Sequence, residues 1–217
     1  MNYTELKARH RAERADYLSA SLSLRLHRSL SWLKQAEISE DDDSQFIFLW
    51  IAFNAAYAQD SAEKYYNTEK DKYSAFIERL VGLDANKKLY GLVWSHYSST
   101  IRSILNNEFI LADYWRFQSG DIKESDWMDA RALATKAAHT ALANNDTTTV
   151  LSIILSRLYV LRNQIMHGGA THGSKANRKQ LTDCTTFMSQ IVPLVIELMM
   201  AGQDQVWGDA AFPLIDN

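Results

Sequence analysis

Turn formers and cross-links are scarce in this chain. It has 8 glycines, 2 prolines and a single cysteine in 217 residues. So little Gly and Pro argues against a turn-rich β architecture. The lone thiol, Cys184, can neither close an internal disulfide nor supply a multi-thiolate metal site. No H-E-x-x-H pattern occurs, and no glutamate stands three residues before a histidine, which excludes zincin and di-iron carboxylate sites. Walker, G-x-G-x-x-G and G-x-S-x-G patterns are also missing, so no metal and no cofactor is expected. Long apolar runs are absent too. The longest, "FIFLWIAF" over Phe46–Phe53, falls far short of the roughly 20 residues a membrane span requires. The start, "MNYTELKARHRAERADY", is charged and lacks an apolar signal core. A soluble, cytoplasmic protein without membrane partners is the expectation. Its net charge of −3 rules out a general nucleic-acid coat, so any polyanion site must be local.

What is present is helical. Hydrophobic residues make up 47%, enough for a sizeable core, and Ala, Leu, Ser and charged residues dominate. One helical region is expected over residues 4–37, with Leu22, Leu26, Leu30 and Leu33 on one face. "SEDDDSQ" breaks it. A second helix follows over residues 44–59, and the acids Glu40, Asp41, Asp42 and Asp43 suit its N-terminus better than they suit a calcium loop. Weaker helical patterns cover residues 69–82 and 86–105. Residues 106–120 read as a packed connector, 125–144 as a helix, 147–167 as the next, and 179–201 as the last, with Pro193 a kink site. "WGDAAFPLIDN" reads as a tail laid on the core. The sum is an all-α bundle of long antiparallel helices with a C-terminal tail: a single domain over residues 1–217 with its core at about 22–201.

One further absence points to function. Residues 147–182 contain no Asp or Glu, whereas 26 acids in 217 residues predict about four in such a window. The same window holds Arg157, Arg162, Lys175, Arg178 and Lys179; on charge alone it is either the place where an anion is best received or a solvated basic loop beside an apolar helix. Within its helix, Ser152, Ser156, Tyr159, Asn163 and His167 form a polar stripe opposite Val150, Ile154, Leu158, Leu161 and Ile165. Arg162 falls on an apolar line with Leu151, Leu155, Leu158 and Met166; it must be paired or must reach solvent or an interface. About 140° separates it from His167 on an ideal helix, so the two converge only around the helix end or through a second copy of the helix. Gly168 is a natural left-handed stop. Histidine, whose charge changes near neutrality, suits proton transfer there.

These residues resemble a family. "RNQIMH", Arg162 to His167, followed by "GGAT", is similar to the arginine–four–histidine signature of the HEPN superfamily, in particular its Apea-like group. "FIFLWIAFNAAY" resembles that group's first core helix, and "NEFILADYWRFQ" and the stretch through "GGATHGSKANRKQ" resemble its further blocks. The resemblance implies a HEPN-type bundle that dimerises and cleaves RNA without metal, leaving a 2′,3′-cyclic phosphate. In that reading Arg162 binds the scissile phosphate, His167 moves protons, and Asn163 orients phosphate or the partner histidine. Lys175, Arg178, Lys179, Tyr159 and His172 are then the substrate contacts, with Asn54 either a core amide or a further cleft residue and Trp50 a core ring. Single-stranded or loop RNA, a second copy of the chain, and an antitoxin or defence-system protein are the implied partners, in phage defence or a toxin-like stress response. One position departs: two residues after the histidine stands Gly169, where a toxin branch of the family has tyrosine. The other readings are a non-catalytic HEPN dimer that binds nucleotide, RNA or protein, and a purely structural partner subunit.

Overall fold

The computed structural model describes residues 1–17, 19–60, 69–96, 98–175 and 178–212. The fold is all-α. Among the described residues there are ten α-helices: α1 (Tyr3–Glu13), α2 (Ala20–Glu37), α3 (Asp42–Tyr57), α4 (Glu69–Leu83), α5 (Lys88–Gly91), α6 (Ser98–Asn106), α7 (Ala112–Gln118), α8 (Glu124–Ala143), α9 (Thr147–Met166) and α10 (Arg178–Ala201). The only extended pairing among them is two residues long, β1 (Gln59–Asp60) antiparallel to β2 (Asp209–Ala210).

The helical region expected over residues 4–37 is two helices, not one. The chain turns after Glu13, and Ser19 in extended conformation caps α2 by accepting from the Leu22 N–H, so a new helix starts there. α1 folds back on α2, and the Tyr3 N–H donates to Glu37 Oε1 at 2.7 Å. The pattern over residues 86–105 is likewise split, into α5, a π-helical turn at Leu92–His96 and α6. The connector at residues 106–120 contains a 3-10 turn at Glu108–Ile110 and the short α7.

α10 is the spine. Phe187, Met188, Ile191, Val192, Val195, Ile196 and Met199 are fully buried, and the helix continues through Pro193. By length and composition α10 could cross a membrane, with a mean hydropathy of 1.5, yet 72% of that window is buried inside the fold. Apolarity on every side is what a central core helix needs. α2 and α3 pack beside it, while α4, α6 and α8 surround α9. The start of the tail lies on this core: Trp207 is 3% exposed, and its Nε1 donates to the Gly202 carbonyl at 2.8 Å; residues 213–217 of the expected tail lie outside the described residues.

Candidate functional site at the end of α9

α9 begins where a cap allows it. Asp146 accepts from the Thr149 N–H at 2.9 Å. It ends in a Schellman motif. The Gly169 N–H donates to the Gln164 carbonyl at 2.7 Å and the Gly168 N–H to the Ile165 carbonyl at 3.1 Å. Gly168 has φ +74°, a conformation glycine adopts without steric cost. A Cβ on Gly169 would meet Gln164 O at 3.0 Å. The two glycines thus fix where the helix stops, and His167 becomes its C-terminal cap, exposed to solvent.

The polar stripe is closed over for most of its length. Ser152 is buried; its hydroxyl donates to the Thr148 carbonyl at 2.8 Å, and the Ser156 hydroxyl donates to the Ser152 carbonyl at 2.9 Å. Tyr159 packs against Trp50 and Tyr73, with ring centroids 6.1 and 6.4 Å apart. Only the last turn, with Asn163 and His167, remains for chemistry. There Arg162 is half-buried. Its Nη1 donates to Asn163 Oδ1 at 2.9 Å, and its Nε is buried without a hydrogen-bond partner. Among the described residues no carboxylate pairs with Arg162, and no hydrogen bond joins it to His167.

The basic window is less free than its composition implies. Arg157 is buried at 4% exposure, and burial pushes its guanidinium down to about 10. Its contact with the Asn107 carbonyl at 3.4 Å ties it to the interior, so it offers nothing to a surface anion. Arg178 is also engaged. Its Nη1 donates to Asp43 Oδ2 at 2.8 Å, and its Nε and Nη2 donate to the Ser174 carbonyl. The Gly173 N–H reaches the same Asp43 oxygen at 3.2 Å, and Thr182 Oγ1 donates to Asp42 Oδ2 at 2.5 Å. His172 Nε2 lies 3.4 Å from Asp41 Oδ1.

The acids at the start of α3 therefore do two jobs. Asp41 caps the helix through the Ser44 N–H at 2.8 Å; that bond, then the Ser44 hydroxyl, holds its carboxyl below the ordinary 3.8. Asp42 and Asp43 anchor the glycine loop and the start of α10. Lys175 and Lys179 are exposed and are the cations left for solution partners. Asn54 is exposed on α3 rather than a core amide, and no hydrogen bond joins it to α9; Trp50, at 4% exposure, is core.

A hollow of about 300 Å³ opens under the glycine loop, against Leu161, Gln164 and Ile165 of α9. Its other walls include Trp115 and Gln180, two residues that neither spacing nor charge marks in the sequence. No family model, curated protein or solved structure matches the chain.

Proposed function

We propose that the protein is a HEPN-type, metal-independent endoribonuclease that acts on single-stranded or loop RNA as a cytoplasmic homodimer. One observation carries this reading. Arg162 is held by Asn163 in the last turn of α9, without a carboxylate among the described residues and with Nε unpartnered, five residues before an exposed histidine that caps the helix end. A fixed cation suited to a phosphate and a group able to move protons are the parts that RNA transesterification needs.

In this mechanism the RNA 2′-oxygen attacks phosphorus, the bond to the 5′-oxygen breaks, and a 2′,3′-cyclic phosphate and a 5′-hydroxyl result. His167 takes the 2′-hydroxyl proton, and His167 of the second copy gives one to the leaving oxygen. Arg162 stabilises the charge that builds on the phosphate, and Lys175 and Lys179 draw in the flanking backbone. Met166, beside the histidine, is 50% exposed and would lie in the contact between copies. An antitoxin or defence-system protein that covers the same helix end would hold the activity in check.

Cleavage in EDTA tests the reading. Wild type should release cyclic-phosphate ends, and His167→Ala and Arg162→Ala should each lose roughly 10²–10⁴-fold in rate. Strict metal dependence, or full activity in His167→Ala, overturns it. A second reading is a non-catalytic dimer that binds nucleotide, RNA or protein through this helix end. It is favoured by the His167 ring, which has no hydrogen-bond partner among the described residues to orient it. That reading expects RNA binding that survives His167→Ala, with no cleavage.

A further inference from the structure

The hollow under the glycine loop lies on the side of α9 that carries Leu161, Gln164 and Ile165. At 100° per residue this is the side away from Asn163, so the hollow is distinct from the Arg162–His167 end while sharing its last two turns. We propose that it binds a flat heteroaromatic ring of nucleobase size, stacked on Trp115 and accepting a hydrogen bond from the Gln180 amide. That the ring is an RNA base rests on the ribonuclease reading; the binding itself does not.

Size is the first argument. About 300 Å³ sits at the lower end of small-ligand pockets, room for one ring system rather than a run of nucleotides. The walls are the second. Leu161 and Leu181 are buried and give an apolar floor. Trp115 is 42% exposed even though its indole N–H is fixed on the Phe109 carbonyl at 2.8 Å. The ring's one polar atom is satisfied and the ring is held in place at the rim. Such an anchored, solvent-facing indole is the platform on which a splayed-out base stacks, and stacking tolerates any base because each has a π-face.

The polar end is the third argument. Gln180 is 7% exposed. Its Oε1 accepts from Asn107 Nδ2 at 3.1 Å, and its Nε2 is closed to solvent without a partner, so the amide turns when it presents this donor to a ring in the hollow. Buried amide donors are rarely left so. A base carbonyl or ring nitrogen would supply the acceptor. The neighbouring charge is closed: Arg178 and Asp43 line the same hollow but neutralise each other at 2.8 Å. A free phosphate would have to displace Asp43 from Arg178, whereas a neutral polar ring leaves the ion pair intact. The hollow therefore selects a base over an anion.

Saturation-transfer NMR with the four free ribonucleosides, and with ribose 5-phosphate, tests the proposal on the full chain. Transfer should concentrate in base protons and should not fall when ribose 5-phosphate is added. Trp115→Leu, at an exposed position, should reduce it at least five-fold, Trp115→Phe should restore most of it, and Gln180→Leu should weaken it while thermal melting stays cooperative. No transfer to any nucleoside, equal transfer in Trp115→Leu, or competition by ribose 5-phosphate overturns the proposal. Nucleoside binding in a protein that cleaves no RNA leaves the hollow and removes the ribonuclease; cleavage without nucleoside binding does the reverse. Arg162→Ala should abolish cleavage and keep the nucleoside signal.

Discussion

Arg25, Arg178 and Arg162 are guanidiniums with three different fates, and each fate sets an expected outcome. Arg25 is 2% exposed and donates to the carbonyls of Ala56, Tyr57, Trp207 and Gly208. Burial, then the charge of Arg79, brings it down to about 10, so it stays protonated at neutrality. Arg25→Met keeps the stem but takes this donor from four carbonyls, at about 1–3 kcal/mol each, and urea unfolding should report a loss of at least about 4 kcal/mol. Arg178, committed to Asp43, should behave as a structural residue: Arg178→Gln lowers thermal stability, while Lys175→Ala and Lys179→Ala lower RNA affinity without moving the melting temperature. The reverse pattern would return Arg178 to the substrate. His10 is a fourth case. It is 1% exposed, only a backbone contact at Ser23 favours its charged form, and Lys7 and Arg14 from its own end of the chain, with His27 and Tyr17 packed beside it, offer no acid. Burial, then Lys7, lowers its pKa from 6.5. The folded state therefore binds fewer protons than the unfolded one, and its contribution to stability is present above 6.5 and fades as pH falls through the lowered value. Thermal melts at pH 7.5 and 5.5 should show a loss that His10→Leu reduces; equal losses in both proteins would remove His10 from the account.

At the scale of elements, α9 shows what was legible and what was not. Its start at Asp146 and its end at His167–Gly168 follow from capping chemistry, which is local in sequence. Replacing Gly168 with Ala puts a Cβ at φ +74°, costing about 1–2 kcal/mol. Because the same turn carries His167, RNA cleavage should fall by more than the population of folded protein does. Equal falls would mean that the cap serves stability alone. The break between α1 and α2 escaped a reading by apolar spacing, because the Leu22–Leu33 face is continuous with the charged helix before it and only Ser19 marks the new start. The docking of the glycine loop escaped for a different reason. Its acids lie 130 and 135 residues away, at Asp43, so a window without acids looked unopposed. Composition counts the charges in a segment; only the packing of α3 against α10 brings the opposing ones to it.

On the scale of the whole molecule, the C-terminal segment closes the fold. Arg25 and Arg79 hold the carbonyls at Val206–Gly208, and Arg28 holds those of Ala211 and Phe212. The indole of Trp207 packs against Phe76, with ring centroids 6.1 Å apart, and against Arg79 at 5.6 Å. Gly202 lies under it, 3.3 Å from its ring at the position a Cβ would take. These contacts join α2, α3, α4 and the end of α10, elements far apart in sequence. Trp207→Ala should therefore lower the stability of the entire domain rather than fray its end. The expected cost is about 3–5 kcal/mol, or roughly 6–20 °C in Tm for a chain of this length. Far-UV circular dichroism and tryptophan fluorescence should still report one coincident transition, because removing the indole weakens the interface that all four helices share. If the variant instead loses only a small early transition, with the main one unmoved, the tail is an appendage and the core of α2, α3, α4 and α10 stands without it.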